Sequence, residues 1–103
     1  MTQSIDLRPQ DLKIVREIIN AALPPEVRVH VFGSRVTGKA RKASDLDLTI
    51  DAGRVLTQRE LAGLADAFDQ SDLFCSVDLV DFNNVSAAFR QIIEGQMVML
   101  ERD

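Results

Sequence analysis

The sequence predicts an α/β (α+β) protein, a small mixed β-sheet with helices packed on it, from three observations. The chain has 103 residues, 46% of them apolar and 27% charged. That is the balance of an ordinary globular protein with material for one core and no second, so residues 1–103 are read as a single domain. Stretches of helical and of alternating periodicity follow one another as helix, strand, short helix, strand, helix, strand, helix, strand. The connection between the first two strands is too tight for a regular crossover helix, so the sheet is expected to be mixed, not purely parallel.

Each element has its own signal. Pro9 suits the first turn of a helix, and Asp11 favours that helix's positive end. Leu12, Val15, Ile19, Ala22 and Leu23 recur at helical spacing until Pro24-Pro25 stops them. "VRVHVF" (Val27 to Phe32) alternates and is β-branched, which predicts a strand that Gly33 breaks. "DLDLTI" (Asp45 to Ile50) alternates again, with Leu46, Leu48 and Ile50 on one face and Asp45, Asp47 and Thr49 on the other. "TQRE" (Thr57 to Glu60) is a capping box that starts a helix carrying Leu61, Leu64, Ala65 and Phe68. "CSVDLVDF" (Cys75 to Phe82) predicts a third strand. Asn83 or Asn84 is expected to cap a last helix bearing Val85, Phe89, Ile92 and Ile93, which Gly95 ends. "MVML" (Met97 to Leu100) predicts a short edge strand.

Composition narrows the function. The net charge is −4 with a pI of about 4.9, and the aromatics are five Phe with no Trp or Tyr. General nucleic-acid binding needs a basic face, and single-strand binding usually uses stacking platforms, so neither is expected. No apolar run approaches the ~20 residues of a membrane helix, and "MTQSIDLRPQD" has no apolar leader core. The lone Cys75 forms no internal disulfide and points to a reducing, cytoplasmic setting.

The chemistry gathers in "VFGSRVTGKARKASDLDLTID" (Val31 to Asp51). Asp45 and Asp47 lie two apart on a strand, so both face one way, about 6–7 Å apart. Carboxylates that close repel, and a divalent cation relieves the conflict; an all-oxygen donor set suits Mg²⁺. An isolated D-x-D is common and is also satisfied by two solvated carboxylates. Gly33-Ser34 strengthens the case, because backbone N–H groups at the opening of a helix after a strand form an anion site that glycine lets a phosphate approach. A phosphate cradle beside a metal pair is what a nucleoside triphosphate needs. Arg35 adjoins that cradle and is the expected triphosphate contact. Lys39 and Lys42 are expected to be solvated loop residues; Arg41 and Arg54 add local positive charge to an acidic protein.

The pattern G-S, ten residues, then D-x-D resembles the signature of the nucleotidyltransferase superfamily that includes DNA polymerase beta. The short chain and the "VDLVDF" strand most resemble its minimal nucleotidyltransferases, antitoxins paired with HEPN-type helical toxins. The resemblance covers nearly the whole chain. It implies the polymerase beta-like nucleotidyltransferase fold, with Asp45, Asp47 and a third carboxylate holding one or two Mg²⁺, and with Gly33, Ser34 and Arg35 at the nucleotide. Asp78 matches the third position, and Asp81, on the other face of its strand, is held in reserve. Asp51 reads as a strand-end or turn residue and His30 as structural. The implied reaction moves a nucleoside monophosphate, AMP from ATP, to a hydroxyl, expected to be a tyrosine of the HEPN-type partner. Two rivals stand beside it: a non-catalytic antitoxin that neutralises its partner by contact, and a small-molecule nucleotidyltransferase, which the lack of an acceptor domain disfavours. A D-x-D glycosyltransferase is disfavoured by chain length.

Overall fold

The computed structural model describes residues 4–102. The elements follow the predicted order: α1 (Pro9–Ala22), β1 (Arg28–Phe32), α2 (Ser34–Thr37), β2 (Leu46–Asp51), α3 (Gln58–Asp69), β3 (Val77–Asp81), α4 (Ala87–Glu94) and β4 (Val98–Met99). The four strands form one sheet in the order β3-β2-β1-β4. The sheet is mixed, as expected. β1 runs antiparallel to β2 and to β4, whereas β2 and β3 are parallel and joined through α3.

The two sheet faces are covered differently. Val29, Val31, Leu46, Leu48 and Ile50 point to one side, where Val15 and Ile19 of α1 and Leu64 and Phe68 of α3 close the main core. The opposite face carries Phe32, Asp47, Thr49 and Asp78. There α4 lies across Phe32, with Phe89 meeting its ring edge-on at a centroid distance of 6.0 Å, and Ile93 fully buried. The core side thus supplies cohesion and leaves the other face free to carry polar groups.

The helix ends are tied down by identifiable groups. Thr57 and Glu60 form the capping box: Glu60 N–H donates to Thr57 Oγ1 at 3.1 Å and Thr57 N–H to Glu60 Oε1 at 2.9 Å. The cap of α4 departs from expectation. It is Ser86, whose hydroxyl accepts Phe89 N–H, because Asn83 and Asn84 are absorbed into a 3-10 turn (Phe82–Asn84) begun by Asp81. Arg102 donates to the carbonyl of Leu23 at 2.7 Å, at the C-terminal end of α1, and to that of Val27 at 2.9 Å, just ahead of β1, tying the two together. No helix among the described residues is long and apolar enough to cross a membrane.

Glu60 gives the capping box a pH signature. The Arg54 guanidinium, at 2.7 Å, and then the Thr57 N–H hold its carboxyl down to about 2 from an ordinary 4.5. A lowered folded-state pKa contributes stability that is present above the unfolded value and is lost as pH falls through the folded one. The wild type is therefore expected to melt above a Glu60→Gln variant at neutral pH. That gap should close between pH 4.5 and about 2, as read by thermal melts across the range.

Candidate functional site

Strand pairing builds the site. β1 and β2 are antiparallel with Phe32 opposite Asp47, so the chain leaves β1 beside the Asp47 carboxylate. Gly33 sits at that exit with φ 80° and ψ −156°, a region open essentially to glycine alone. It lies so close to Asp47 that a Cβ would collide with the carboxylate, whose Cγ is 3.0 Å from where it would stand. Glycine is thus required twice here, by backbone angle and by space.

The parallel pairing of β2 with β3 brings in the third carboxylate. Asp47 is in register with Asp78, and neighbouring strands are about 4.8 Å apart, so the two side chains stand side by side on one face. Asp45 lies two residues before Asp47, just ahead of β2, and is exposed, as is Asp78. Partial burial raises the Asp47 pKa first, and the charges of Asp78 and Asp45 push it the same way. Ser34 opens α2 next to Gly33. Its hydroxyl has no protein partner among the described residues, and its N–H precedes the intrahelical ladder.

The donor chemistry fits a hard divalent cation: carboxylate oxygens from Asp45, Asp47 and Asp78, with mutual repulsion that a cation would relieve. Among the described residues, no three His, Cys, Asp or Glu side chains are placed closely enough to hold a metal ion together as they stand. An open set is what Mg²⁺ accepts, since it keeps waters and substrate oxygens in its shell.

Asp81, the reserve candidate, is differently employed. It is buried, in register with Ile50; its Oδ2 accepts Leu56 N–H at 2.7 Å and its Oδ1 accepts Asn83 N–H at 3.1 Å. Asp51 ends β2, within the expected strand-end or turn reading, and accepts from Gly53 N–H at 2.9 Å and from the Asn83 side chain at 2.8 Å. His30 lies inside β1 between Thr49 and Met99, and burial lowers its pKa, only partly opposed by Asp51.

Arg35 is where the expectation of a triphosphate contact needs correcting. Its side chain is only 4% exposed. Nη1 donates to the Asp6 carbonyl at 2.9 Å, and Nη2 to the carbonyls of Ser44 at 2.8 Å, Lys42 at 3.3 Å and Arg41 at 3.4 Å. Phe74 covers the guanidinium at 5.2 Å. Arg35 therefore gathers the loop between α2 and β2 instead of facing the cradle. Lys39, Arg41 and Lys42 are exposed on that loop. Gln96, which no sequence pattern marks, accepts the Gly33 N–H at its Oε1 across 63 positions of chain. No local pattern announces such a contact.

A mixed sheet bearing a Gly-Ser turn against two in-register carboxylates defines a nucleotidyl-transfer type of domain. The chain belongs to the family described as "Polymerase beta, Nucleotidyltransferase", whose model matches residues 8–103. It is 41% identical over 97 residues to a protein of Haemophilus influenzae described as "Probable protein adenylyltransferase MntA", covering 94% of this chain and 84% of that one. It superposes on a crystal structure of a toxin–antitoxin with AMP-PNP at TM-score 0.74 and 25% identity, over 89% of this chain and 73% of that one. It also superposes on an MNT antitoxin complex with tri-AMPylated Shewanella oneidensis HEPN toxin at TM-score 0.61 and 24% identity, with the same coverage.

Two outcomes follow from the geometry. A raised carboxylate pKa means that the charged form of Asp47 costs stability above that pKa, and that the cost fades as pH falls through it. In EDTA, Asp47→Asn should thus melt higher than wild type at pH 7. The gain should shrink on acidification towards 3.8. Arg35→Lys should lose about 2–3 kcal/mol in denaturant unfolding, because an ammonium cannot serve four carbonyls spread round a planar fork.

Proposed function

We propose that the chain is a minimal nucleotidyltransferase domain that transfers AMP from ATP to a tyrosine hydroxyl of a HEPN-type toxin, and so acts as its antitoxin in the cytoplasm. The observation that carries this reading is the in-register pair Asp47 and Asp78 with Gly33 packed against Asp47. Pure contact between proteins has no use for that arrangement. The similarity to a relative named as a probable protein adenylyltransferase supports the AMP and protein parts of the reading. The toxin–antitoxin neighbour with AMP-PNP supports ATP as substrate and a toxin as partner.

In this scheme the Ser34 hydroxyl and the N–H groups of Gly33 and Ser34 bind the β- and γ-phosphates. Asp45, Asp47 and Asp78 would hold Mg²⁺, one or two ions, which would supply positive charge to the triphosphate and favour the ionised acceptor oxygen. Asp78, the more exposed partner in the strand pair, takes up the acceptor proton. The acceptor oxygen forms a bond to the α-phosphorus, the bond from that phosphorus to the bridging oxygen breaks, and pyrophosphate leaves. Arg35 is not a phosphate ligand in this scheme. It is a positioning residue that holds the segment leading into Asp45. Most of the protein's contribution is orientation and charge placement.

The test is to incubate the chain with a candidate HEPN-type toxin, ATP and Mg²⁺ and weigh the toxin intact. Wild type should add AMP-sized increments. Asp47→Asn and Asp78→Ala should each lower the rate on the order of a thousand-fold while still co-purifying with the toxin. Full neutralisation of the toxin by an Asp78→Ala chain that transfers nothing would favour the contact-only antitoxin and overturn the enzyme.

A further inference from the structure

We propose that the chain carries a second site, remote from the carboxylates, that binds a small zwitterion with an apolar side chain, of which a free branched α-amino acid is the simplest case. The site is a cavity of about 490 Å³ between the end of α1, the end of β2 and the first turns of α3. Ala52, which lines it, follows the last residue of β2, whereas Asp47 stands near the start of that strand, ~17 Å away along the chain. The cavity is thus separate from the carboxylate site, and its occupancy does not depend on nucleotide transfer.

The floor of the cavity is apolar, made by Leu23, Val27, Leu56 and Leu64. Its walls are held in place: Arg102 grips the Leu23 and Val27 carbonyls on one side, and the Thr57–Glu60 capping box fixes the start of α3 on the other. A ligand therefore meets a preformed surface and does not have to order it. Gly63 supplies the room. It lies inside α3, where glycine weakens a helix relative to alanine. Neither usual reason for a glycine applies there, since its φ is not positive and an added Cβ would meet nothing within 4 Å. The space it leaves open is part of the cavity wall. The rim sets the charge. Arg54 and Glu60 pair with each other at 2.7 Å. Arg59 and Glu26, both exposed, line the same cavity and have no ion-pair partner among the described residues. One cation and one anion beside an apolar floor complement a molecule that carries a carboxylate, an ammonium and an apolar group together. Its carboxylate meets Arg59, its ammonium meets Glu26, and its side chain lies over Leu23 and Leu64 beside Gly63. Mostly apolar walls with a few polar groups, at this volume, are the usual form of a small-molecule site.

Isothermal titration of the full chain with leucine at pH 7 tests this, beside three probes that each lack one feature: N-acetyl-leucine the ammonium, leucine amide the carboxylate, and glycine the side chain. Leucine should bind saturably, in the millimolar range or tighter, and glycine should not. Each capped compound should bind about 2- to 5-fold more weakly than leucine, the worth of one exposed ion pair. Arg59→Gln should weaken leucine by the same factor and leave leucine amide unchanged, because no carboxylate pair then remains to be lost. Gly63→Met sends a good helix former's side chain into the open space, so it should melt no lower than wild type and yet lose leucine binding. Should that variant fold poorly, Gly63→Ala takes its place, with a higher melting temperature and weaker leucine binding expected. Absence of saturable leucine binding by the wild type overturns the site. Capped compounds that bind as tightly as leucine, undiminished affinity in Arg59→Gln, or undiminished affinity in the folded Gly63 variant overturn the proposal equally.

Discussion

The close approach of the Gly33 backbone to the Asp47 carboxylate is the contact on which the site depends. It follows from one register, Phe32 opposite Asp47, in the antiparallel pair β1 and β2. Shift that register by one residue and every side chain of β2 changes face: Asp47 would enter the core, and Leu46 and Leu48 would meet water. Burial of Leu46, Leu48 and Ile50, each with no exposed surface, therefore holds the carboxylate against the turn. Packing energy on one face of the sheet positions the chemistry on the other.

The loop between α2 and β2 explains why basic residues crowd before two aspartates. Arg35 is the only one of the group to be buried, and it acts as a hub, taking Asp6, Arg41, Lys42 and Ser44 carbonyls together. The Asp6 N–H returns the contact to the Arg35 carbonyl at 2.7 Å, so the segment ahead of α1 is locked to the same point. Guanidinium geometry suits this work better than an ammonium, because several coplanar donors can meet carbonyls from different directions. Lys39, Arg41 and Lys42 remain outside, exposed. They can draw an anion towards an otherwise acidic surface without being held in place.

Much of this was legible in the sequence because it depends on period and steric rules. A period of two fixed which residues of "DLDLTI" share a face, and the same parity separated Asp78 from Asp81. The Thr57 box and the Pro9 start are local signals, and both stand in the structure. What was not legible depends on direction or on distant partners. Arg35 is one residue beyond Ser34, but a step along a helix turns a side chain by about 100°, so adjacency to the cradle did not mean facing it. Three residues able to cap lie close together before α4, and the 3-10 turn that takes Asn83 and Asn84 is begun by Asp81, itself anchored to Leu56. Gln96 reaches Gly33 from 63 positions away through a turn whose geometry only the folded sheet determines.

The carboxylate cluster also sets stability against use. Desolvation, Asp78 and Asp45 all raise the pKa of Asp47, so the free protein holds a charge that its surroundings disfavour. A fold selected for stability alone would place an amide there, or move Asp78 one position along β3 to the other face. Keeping both carboxylates in register stores a repulsion that a hard divalent cation would relieve. The free energy of binding such a cation would come in part from removing an existing conflict, in addition to forming new contacts.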